Sequence, residues 1–305
     1  MVDLIVSGLA VAGVAGVAAS RRPAVSHLPT PVRVSYIGRE VANMELSAFT
    51  FEVVDGVAHI TMNQPERGNP FDERFAADFD SLATECSVRE EVRAVLIDAK
   101  GRFFSVGGDL NALTRSREDL ARFVSGATSN LHMGISRFAR LDSPVVAAVH
   151  GLAAGGAVAL VAGADFVLAS PNAKFYAAFA GIGIISDSGG SYFLPRRMGS
   201  RRAAQFYMLN ETLSAEQAAA SGLINRVVEA DALDAEAWEL ARGLARGPTR
   251  AFGEAKNLLL SSPAESLEGQ LENEARAMAR VTRTDDAWNA MRAMLAKQKP
   301  TFQGR

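Results

Sequence analysis

The stretch PVVAAVHGLAAGGAVALVAGAD, residues 144–165, decides how this chain folds. An apolar strand at residues 145–149 runs into a Gly/Ala loop, which leads directly into an apolar helix. At that junction we expect the backbone N–H groups of Gly155, Gly156 and Ala157 to lack partners within the helix and to lie at the positive end of its dipole. The junction therefore predicts a site for a phosphate, a carboxylate or a developing oxyanion.

A second glycine turn lies upstream in FFSVGGDL, residues 103–110, and it also opens a helix, with Asp109 near the helix start. Glycine suits such turns because a larger side chain would hold a ligand away from the backbone. If the two turns converge, their N–H groups can donate to one carbonyl oxygen and polarise a thioester. Each turn alone has a second interpretation, which is a tight turn that lets a helix and a strand pack closely.

The bulk composition narrows the class of protein. At 305 residues and 48% hydrophobic, the chain can bury the core of one large domain with a smaller helical appendage. A formal net charge of −2 without a long Lys/Arg run argues against nucleic-acid binding. Cys86 is the only cysteine, which excludes an intrachain disulfide and fits a reducing, cytoplasmic location. No spacing typical of metal ligands is present, so we expect no metal.

Residues 1–45 form an unusual N-terminal segment. Residues 4–19 are almost wholly Ala, Val, Gly and Leu, and a Pro-containing stretch follows. A secretory signal would carry positive charge ahead of its apolar run, where this chain has Asp3. The run is short for a membrane span, and Gly and Ala add little insertion energy. We expect a disordered extension without membrane contact and with Met44 as the natural initiator; a weak membrane anchor is the alternative.

Alternating strands and helices predict an α/β fold. Residues 49–62 predict a hairpin around Asp55-Gly56, and residues 71–86 predict a helix that begins with Asn69-Pro70 as cap and first-turn proline. Further strands are predicted at residues 94–98, 145–149, 165–170 and 174–176, and a long helix at residues 120–141. Such alternation argues for parallel strands joined by crossover helices.

Beyond residue 201 the pattern becomes nearly all helical. Helices are predicted at residues 202–209, 214–221, 231–245, 249–260, 266–281 and 285–297. This change divides the chain after its N-terminal segment into a core at residues 46–228 and a helical C-terminal region at residues 229–305.

A set of ordered motifs resembles the crotonase superfamily, the enoyl-CoA hydratases and isomerases. In chain order the motifs are NQPERGNPF (63–71), FFSVGGDL (103–110), HGLAAGG (150–156), ISDSGGSYFLPRRMG (185–199) and LSAEQAAASGLINRVV (213–228). The resemblance covers residues 47–305 and implies a spiral of repeated ββα units with a helical C-terminal region that makes trimer contacts. It also implies an acyl-CoA thioester as substrate, with CoA as part of that substrate and no separate cofactor. The implied assembly is a homotrimer or a dimer of trimers.

The resemblance assigns roles to individual residues. It implies that the N–H groups of Gly108 and Gly156 hold the thioester oxygen, where an enolate would carry its charge. Arg67 and Val106 lie in segments that line the CoA nucleotide in the family, Val106 through its backbone. We expect Phe175 and Phe179 to line the acyl pocket.

The acid/base residues of ordinary hydratases are missing. Those enzymes use two glutamates, and the matching positions here hold Ala159 and Phe179, which cannot move a proton. Asp187 remains, in a pattern similar to the ring-epoxide isomerases of phenylacetyl-CoA degradation and to related enoyl-CoA isomerases, in which an aspartate at this place shuttles the proton. From spacing alone, Asp187 is equally well explained as a helix cap. With the resemblance, it predicts an acyl-CoA isomerase that shifts a double bond or opens a ring.

His132 supports an alternative reaction. The 4-chlorobenzoyl-CoA dehalogenases of the same superfamily place a histidine at this distance before the proline that matches Pro144, together with an aspartate that matches Asp187. The chain departs from them at Phe179, where they have a tryptophan that donates a hydrogen bond. Three alternatives to the isomerase therefore stay open: a hydrolytic dehalogenase of an aromatic acyl-CoA, a hydratase with an atypical base, and a non-catalytic acyl-CoA binder.

Overall fold

The computed structural model describes residues 44–305, so the expectations for the N-terminal segment, including a membrane anchor, lie almost wholly outside the described residues. Within this part of the chain the strands are β1 (Phe49–Val54), β2 (Val57–Met62), β3 (Ala94–Ala99), β4 (Val145–Val149), β5 (Leu152–Ala154), β6 (Phe166–Ala169), β7 (Lys174–Tyr176), β8 (Thr212–Ser214) and β9 (Arg226–Val227). The α-helices are α1 (Glu73–Val88), α2 (Leu110–Leu113), α3 (Leu120–Arg140), α4 (Gly156–Gly163), α5 (Gly190–Met198), α6 (Ser200–Met208), α7 (Ala215–Ala220), α8 (Leu233–Ala245), α9 (Thr249–Ser261), α10 (Leu267–Val281) and α11 (Asp285–Leu295).

The strands form two sheets. The larger sheet has the order β1-β2-β3-β4-β6-β9, and the smaller one has the order β5-β7-β8. The first pair is the predicted antiparallel hairpin, whose turn residues Asp55 and Gly56 both have positive φ, at +53° and +79°. All later neighbours in the larger sheet are parallel. Parallel strands with helical connections are the arrangement that the strand–helix alternation predicts.

Each turn of the chain repeats the same sequence of elements. One strand enters the larger sheet, a second strand enters the smaller sheet, and a helix returns, as in β4–β5–α4. In the two earlier turns a single β-bridge takes the place of the second strand. These bridges join Phe71 to Gly108 and Ser105 to Ala153. The expected spiral of ββα units is confirmed, and after β9 only helices follow.

The larger sheet is covered on both faces. One face belongs to the main core, whose largest fully buried side chains include Phe75, Phe79 and Phe104. The other face carries α8, which packs Leu233, Ala237, Ala241 and Ala245 against the sheet. Burial on both faces explains why β3 and β4 are continuous apolar runs rather than alternating ones.

Two local predictions are wrong. Helix α1 is capped by Asp72, whose carboxylate accepts the N–H groups of Arg74 and Phe75, and not by Asn69. The Asn69 side chain is instead buried, where its Nδ2 donates to three carbonyl oxygens, those of Lys100, Phe103 and Phe104. The predicted Gly/Ala loop also contains the short strand β5, which pairs with β7.

Candidate active site

The two glycine turns lie side by side. Ser105 and Ala153 form a parallel bridge between them. In this bridge the Ser105 N–H donates to Leu152 O at 2.9 Å, and the Ala154 N–H donates to Ser105 O at 3.0 Å. A Cβ on Gly107, whose φ is +81°, would lie 2.6 Å from the Ala154 carbonyl oxygen, so this approach requires glycine. Backbone hydrogen bonds thus fix the spacing between the turns.

Gly108 and Gly156 each present an N–H group that no described residue accepts. Gly108 forms the bridge with Phe71, and Gly156 is the first residue of α4. The N–H of Gly155, in contrast, donates to Tyr176 O at 2.9 Å. The expectation of an open donor is therefore wrong at Gly155, because that residue continues the β5–β7 pairing. The N–H groups of Gly108 and Gly156 are open at the predicted positions, and the N–H of Ala157, the second residue of α4, also has no acceptor among the described residues.

The Arg67 side chain joins the starts of two helices. Its guanidinium donates to Asp72, the cap of α1, at 2.9 Å and to Asp109, the cap of α2, at 2.7 Å. The hydrogen bond to Asp72 is the main cause that raises the pKa of Arg67. The Val106 N–H donates to Gly68 O at 2.9 Å, which leaves its carbonyl and its exposed side chain for other contacts. Contact of either residue with CoA stays a prediction.

Asp187 lies in a turn ahead of α5 and does not cap that helix. The N-terminal cap is Gly189, which makes no side-chain bond. The half-buried Asp187 carboxylate accepts a hydrogen bond from Ser188 Oγ at 3.0 Å. The preceding isoleucines, which include Ile182, do not surround the carboxylate, since they are 47–85% exposed. The capping interpretation of Asp187 is therefore wrong, and its carboxylate is held within the turn.

Ser188 connects Asp187 to the glycine loop and to α3. Its side chain is fully buried, and its Oγ would lie 3.0 Å from a Cβ placed on Gly156. Its N–H donates to His132 Nε2 at 3.3 Å. A nitrogen that accepts a hydrogen bond carries no proton, so this contact places the proton of a neutral His132 ring on Nδ1. The structure thus brings Gly156, Asp187 and His132 together around Ser188, a residue that sequence reasoning missed.

The positions of the missing glutamates are apolar in the structure as well. Ala159 is buried on α4, and Phe179 is 8% exposed with its ring facing Gly155, where an added Cβ would lie 3.7 Å from Phe179 Cζ. Phe175 lies in β7 opposite Ala153 and is fully buried in the main core. Phe179 lies against the glycine loop at Gly155, whereas Phe175 lies in β7, the strand that pairs with β5.

Sequence reasoning also missed Tyr207. Its Oη lies 2.5 Å from the Oγ of Ser186, the neighbour of Asp187. Burial is the main cause that raises the pKa of Tyr207 to about 12, and the charge of Asp187 adds to the increase. Tyr207 lies on α6, and no local pattern in the sequence connects it with the turn of Asp187.

Two features are absent from residues 44–305. Among them, no group of three His, Cys, Asp or Glu side chains has the placement of a metal site. No helix in the same range has the length and hydropathy needed to cross a membrane.

Comparisons with known proteins give the family. The model of the enoyl-CoA hydratase/isomerase family matches residues 52–305. The 1,2-epoxyphenylacetyl-CoA isomerase of Escherichia coli strain K12 is 36% identical over 261 residues, which cover 83% of this chain and 97% of the relative. The 4-chlorobenzoyl coenzyme A dehalogenase-2 of an Arthrobacter species is 30% identical over 226 residues, which cover 74% of this chain and 82% of the relative.

A solved structure agrees with this result. The crystal structure of an enoyl-CoA hydratase from Polaromonas sp. JS666 superposes with a TM-score of 0.79 at 27% identity, and the match covers 84% of this chain and 100% of that one. Isomerase, dehalogenase and hydratase are thus all represented among similar proteins. Sequence and structure together show that this chain belongs to the enoyl-CoA hydratase/isomerase family of the crotonase superfamily.

Proposed function

We propose that this protein is an acyl-CoA isomerase that shifts a double bond or opens a ring, with Asp187 as its acid/base. One observation carries the proposal: Asp187 is a half-buried carboxylate connected through Ser188 to Gly156, while Ala159 and Phe179 are apolar. A site with one carboxylate can remove a proton and return it. It has no second carboxylate at the positions of the hydratase glutamates to activate water.

The proposed reaction uses the two glycine turns as an oxyanion site. Asp187 removes a proton from the carbon next to the thioester, and the electron pair moves onto the thioester oxygen. Gly108 and Gly156 donate their N–H groups to that oxygen, and the N-terminus of α4 adds its positive dipole. Asp187 then returns the proton to a different carbon, so that the double bond has moved. For an epoxide, the electrons of the enolate form a new double bond, the electron pair of the broken carbon–oxygen bond stays on the oxygen, and that oxygen takes the proton from Asp187. Protons and electrons balance without a further reactant.

The substrate class follows from the family. An acyl-CoA thioester supplies the carbonyl oxygen that the glycine turns would hold, so CoA is proposed as part of the substrate and no separate cofactor is needed. The name of the Escherichia coli relative, a 1,2-epoxyphenylacetyl-CoA isomerase, supports the isomerase assignment. A homotrimer, or a dimer of trimers, is proposed as the assembly.

Isotope exchange tests this proposal. Purified wild type, Asp187→Asn and the control Asp231→Asn, which changes an exposed aspartate at the start of the α8 region, are incubated with a panel of unsaturated acyl-CoAs in deuterated water. Mass spectrometry reads the products. We expect double-bond migration in wild type and control and none in Asp187→Asn. Deuterium enters the product of the active proteins to the extent that the proton on the half-buried Asp187 exchanges with solvent before it is returned. Full turnover by Asp187→Asn would refute Asp187 as the acid/base, and water addition that survives the substitution would restore the hydratase.

The contact between His132 and the Asp187 turn favours one second candidate, a hydrolytic dehalogenase. In that reaction the Asp187 carboxylate attacks the ring carbon of an aromatic acyl-CoA and chloride leaves. His132 Nε2, once it has released the Ser188 N–H, then takes a proton from water, which attacks the carboxyl carbon of Asp187 and frees the hydroxylated product. A single turnover with 4-chlorobenzoyl-CoA in heavy-oxygen water would place the label in Asp187. Absence of label and of chloride release would remove this candidate.

A further inference from the structure

A pair of hydroxyl groups supports the turn that carries Asp187. The Oη of Tyr207 and the Oγ of Ser186 are 2.5 Å apart. Ser186 Oγ also donates to the Asp187 carbonyl oxygen at 3.3 Å. Because Ser186 has a single hydroxyl proton, Tyr207 is the donor to Ser186 in this arrangement. A chain of hydrogen bonds therefore runs from Tyr207 through Ser186 to the backbone of Asp187.

The surroundings leave this pair little freedom. A Cβ on Gly190 would collide with both hydroxyl oxygens and would lie 3.1 Å from Ala159 Cβ. The rings of Tyr207 and Phe179 are 6.1 Å apart, centroid to centroid. Tyr207 thus lies beside Phe179 and against Gly190, the residue that approaches Ala159 of α4. The pair is enclosed between the elements that form the candidate site.

Tyr207 acts here as a donor. Its pKa is raised to about 12, mainly by burial, so the phenol keeps its proton at neutral pH. A neutral phenol beside the Asp187 turn can donate a hydrogen bond but does not compete for the proton that a base would take.

The turn itself needs such support. Ser188 has a positive φ of +54°, and Gly189 follows at +78°. A serine with positive φ persists only where the surrounding structure holds it. The Asp187 carbonyl oxygen accepts from two sides, from Ser186 Oγ and from the Gly190 N–H at 2.9 Å. Loss of the first contact would leave the Asp187 carbonyl oxygen held from one side only.

We propose that Tyr207 and Ser186 are positioning residues that hold the Asp187 turn, so that the carboxylate is aimed at the carbon next to a thioester bound at the glycine turns. The inference rests on the proposed function, in which Asp187 moves the proton. Neither hydroxyl is assigned a proton-transfer role. Both act through the backbone of Asp187.

The test compares Tyr207→Phe, Ser186→Ala and the double variant, with 3-hexenoyl-CoA in deuterated water as probe. Misplacement of a reacting group by about 1 Å lowers rates about 100-fold, so we expect each single variant to lose about 10- to 100-fold in kcat with KM unchanged. Because both hydroxyls act through one chain of hydrogen bonds, the double variant should lose no more than either single variant. Tyr176→Phe is the control, since that hydroxyl accepts from Asn210 Nδ2 at 2.7 Å outside this chain.

The outcomes separate the two proposals. If Tyr207→Phe keeps the wild-type kcat while Asp187→Asn is inactive, the positioning role is overturned and the isomerase proposal stands. The same conclusion follows if the losses of the two single variants multiply in the double variant. Turnover by Asp187→Asn overturns the isomerase mechanism instead. Amide hydrogen exchange needs no substrate: faster exchange at residues 186–190 in Tyr207→Phe than in Tyr176→Phe supports the pair as the support of the turn, and equal exchange overturns it.

Discussion

Replacement of Gly156 by alanine tests how closely the Asp187 turn is fitted to the glycine loop. An added Cβ would lie 3.0 Å from Phe71 Cδ2, 3.1 Å from Phe71 Cε2 and 3.0 Å from Ser188 Oγ. These distances are a few tenths of an ångström too short, so Phe71, Ser188 or both must move. Movement of Ser188 would carry the neighbouring Asp187 with it.

The magnitude follows from opposing effects. Overpacking of a well-packed site costs about 1–3 kcal/mol, whereas alanine is favoured over glycine in a helix by up to about 1 kcal/mol. The expected net loss in the free energy of unfolding of Gly156→Ala is therefore about 1 kcal/mol, or roughly 2 °C in melting temperature for a chain of this size. The expected loss in kcat is far larger, about 100-fold, because displacement of the carboxylate and crowding of the oxyanion site act on the transition state.

Gly243→Ala is the matched control. This glycine lies within α8, and an added Cβ there would meet no atom within 4 Å. We expect an increase of about 0.4–1 kcal/mol in stability with unchanged activity. Thermal melting measures the stability, and the turnover of unsaturated acyl-CoAs in deuterated water measures the activity. If Gly156→Ala melts lower but keeps wild-type kcat, the close fit between the glycine loop and the Asp187 turn has no bearing on catalysis, and the geometric reasoning is refuted.

Three further predictions concern stability and reactivity. Lys256→Met should cost about 3 kcal/mol in the free energy of unfolding, because it leaves the half-buried Asp165 carboxylate without its 2.7 Å ion pair. Denaturant melts should show a smaller loss when Asp165→Asn is added, and equal losses would contradict this. Burial alone would lower the pKa of His59, but the hydrogen bond and charge of Asp98 outweigh burial and raise the pKa above 6.5. The stability that protonated His59 contributes to the fold is therefore full below pH 6.5 and is lost as pH rises through the raised pKa. The pH dependence of unfolding should therefore flatten in His59→Gln. Burial raises the pKa of Cys86 to about 12, so iodoacetamide should label it only upon unfolding, and rapid labelling of the native protein would be inconsistent with this burial.

Local patterns account for the parts of the fold that were predicted correctly. The Asp55-Gly56 hairpin, the long helix α3 and the glycine junction before α4 each follow from residues adjacent in sequence. The cap of α1 was predicted wrongly because Asn69 and Asp72 are both good caps. The Asn69 side chain donates hydrogen bonds to carbonyl oxygens that are distant in sequence, and Asp72 therefore caps the helix.

The candidate site was predictable where it is built from backbone and unpredictable where distant helices meet. The Gly-Gly pairs identified the open donors at Gly108 and Gly156, but the partner of the Gly155 N–H depends on the pairing of β5 with β7. Tyr207 reaches the Asp187 turn only because α6 packs beside α5. Nothing in the local sequence around Tyr207 encodes that contact, so pattern reasoning could not find it.

The bridge between the two glycine turns also bears on how such a site can change during evolution. Its proposed anion donors are main-chain groups, set by the pairing of Ser105 with Ala153, so they depend on small residues where the backbones approach closely and not on any polar side chain. The side chains considered for the chemistry, at positions 132, 159, 179 and 187, lie on four separate segments, none of which contains Ser105 or Ala153. A lineage can therefore keep the two bridged glycine turns and acquire new reactions by substituting a few residues around them.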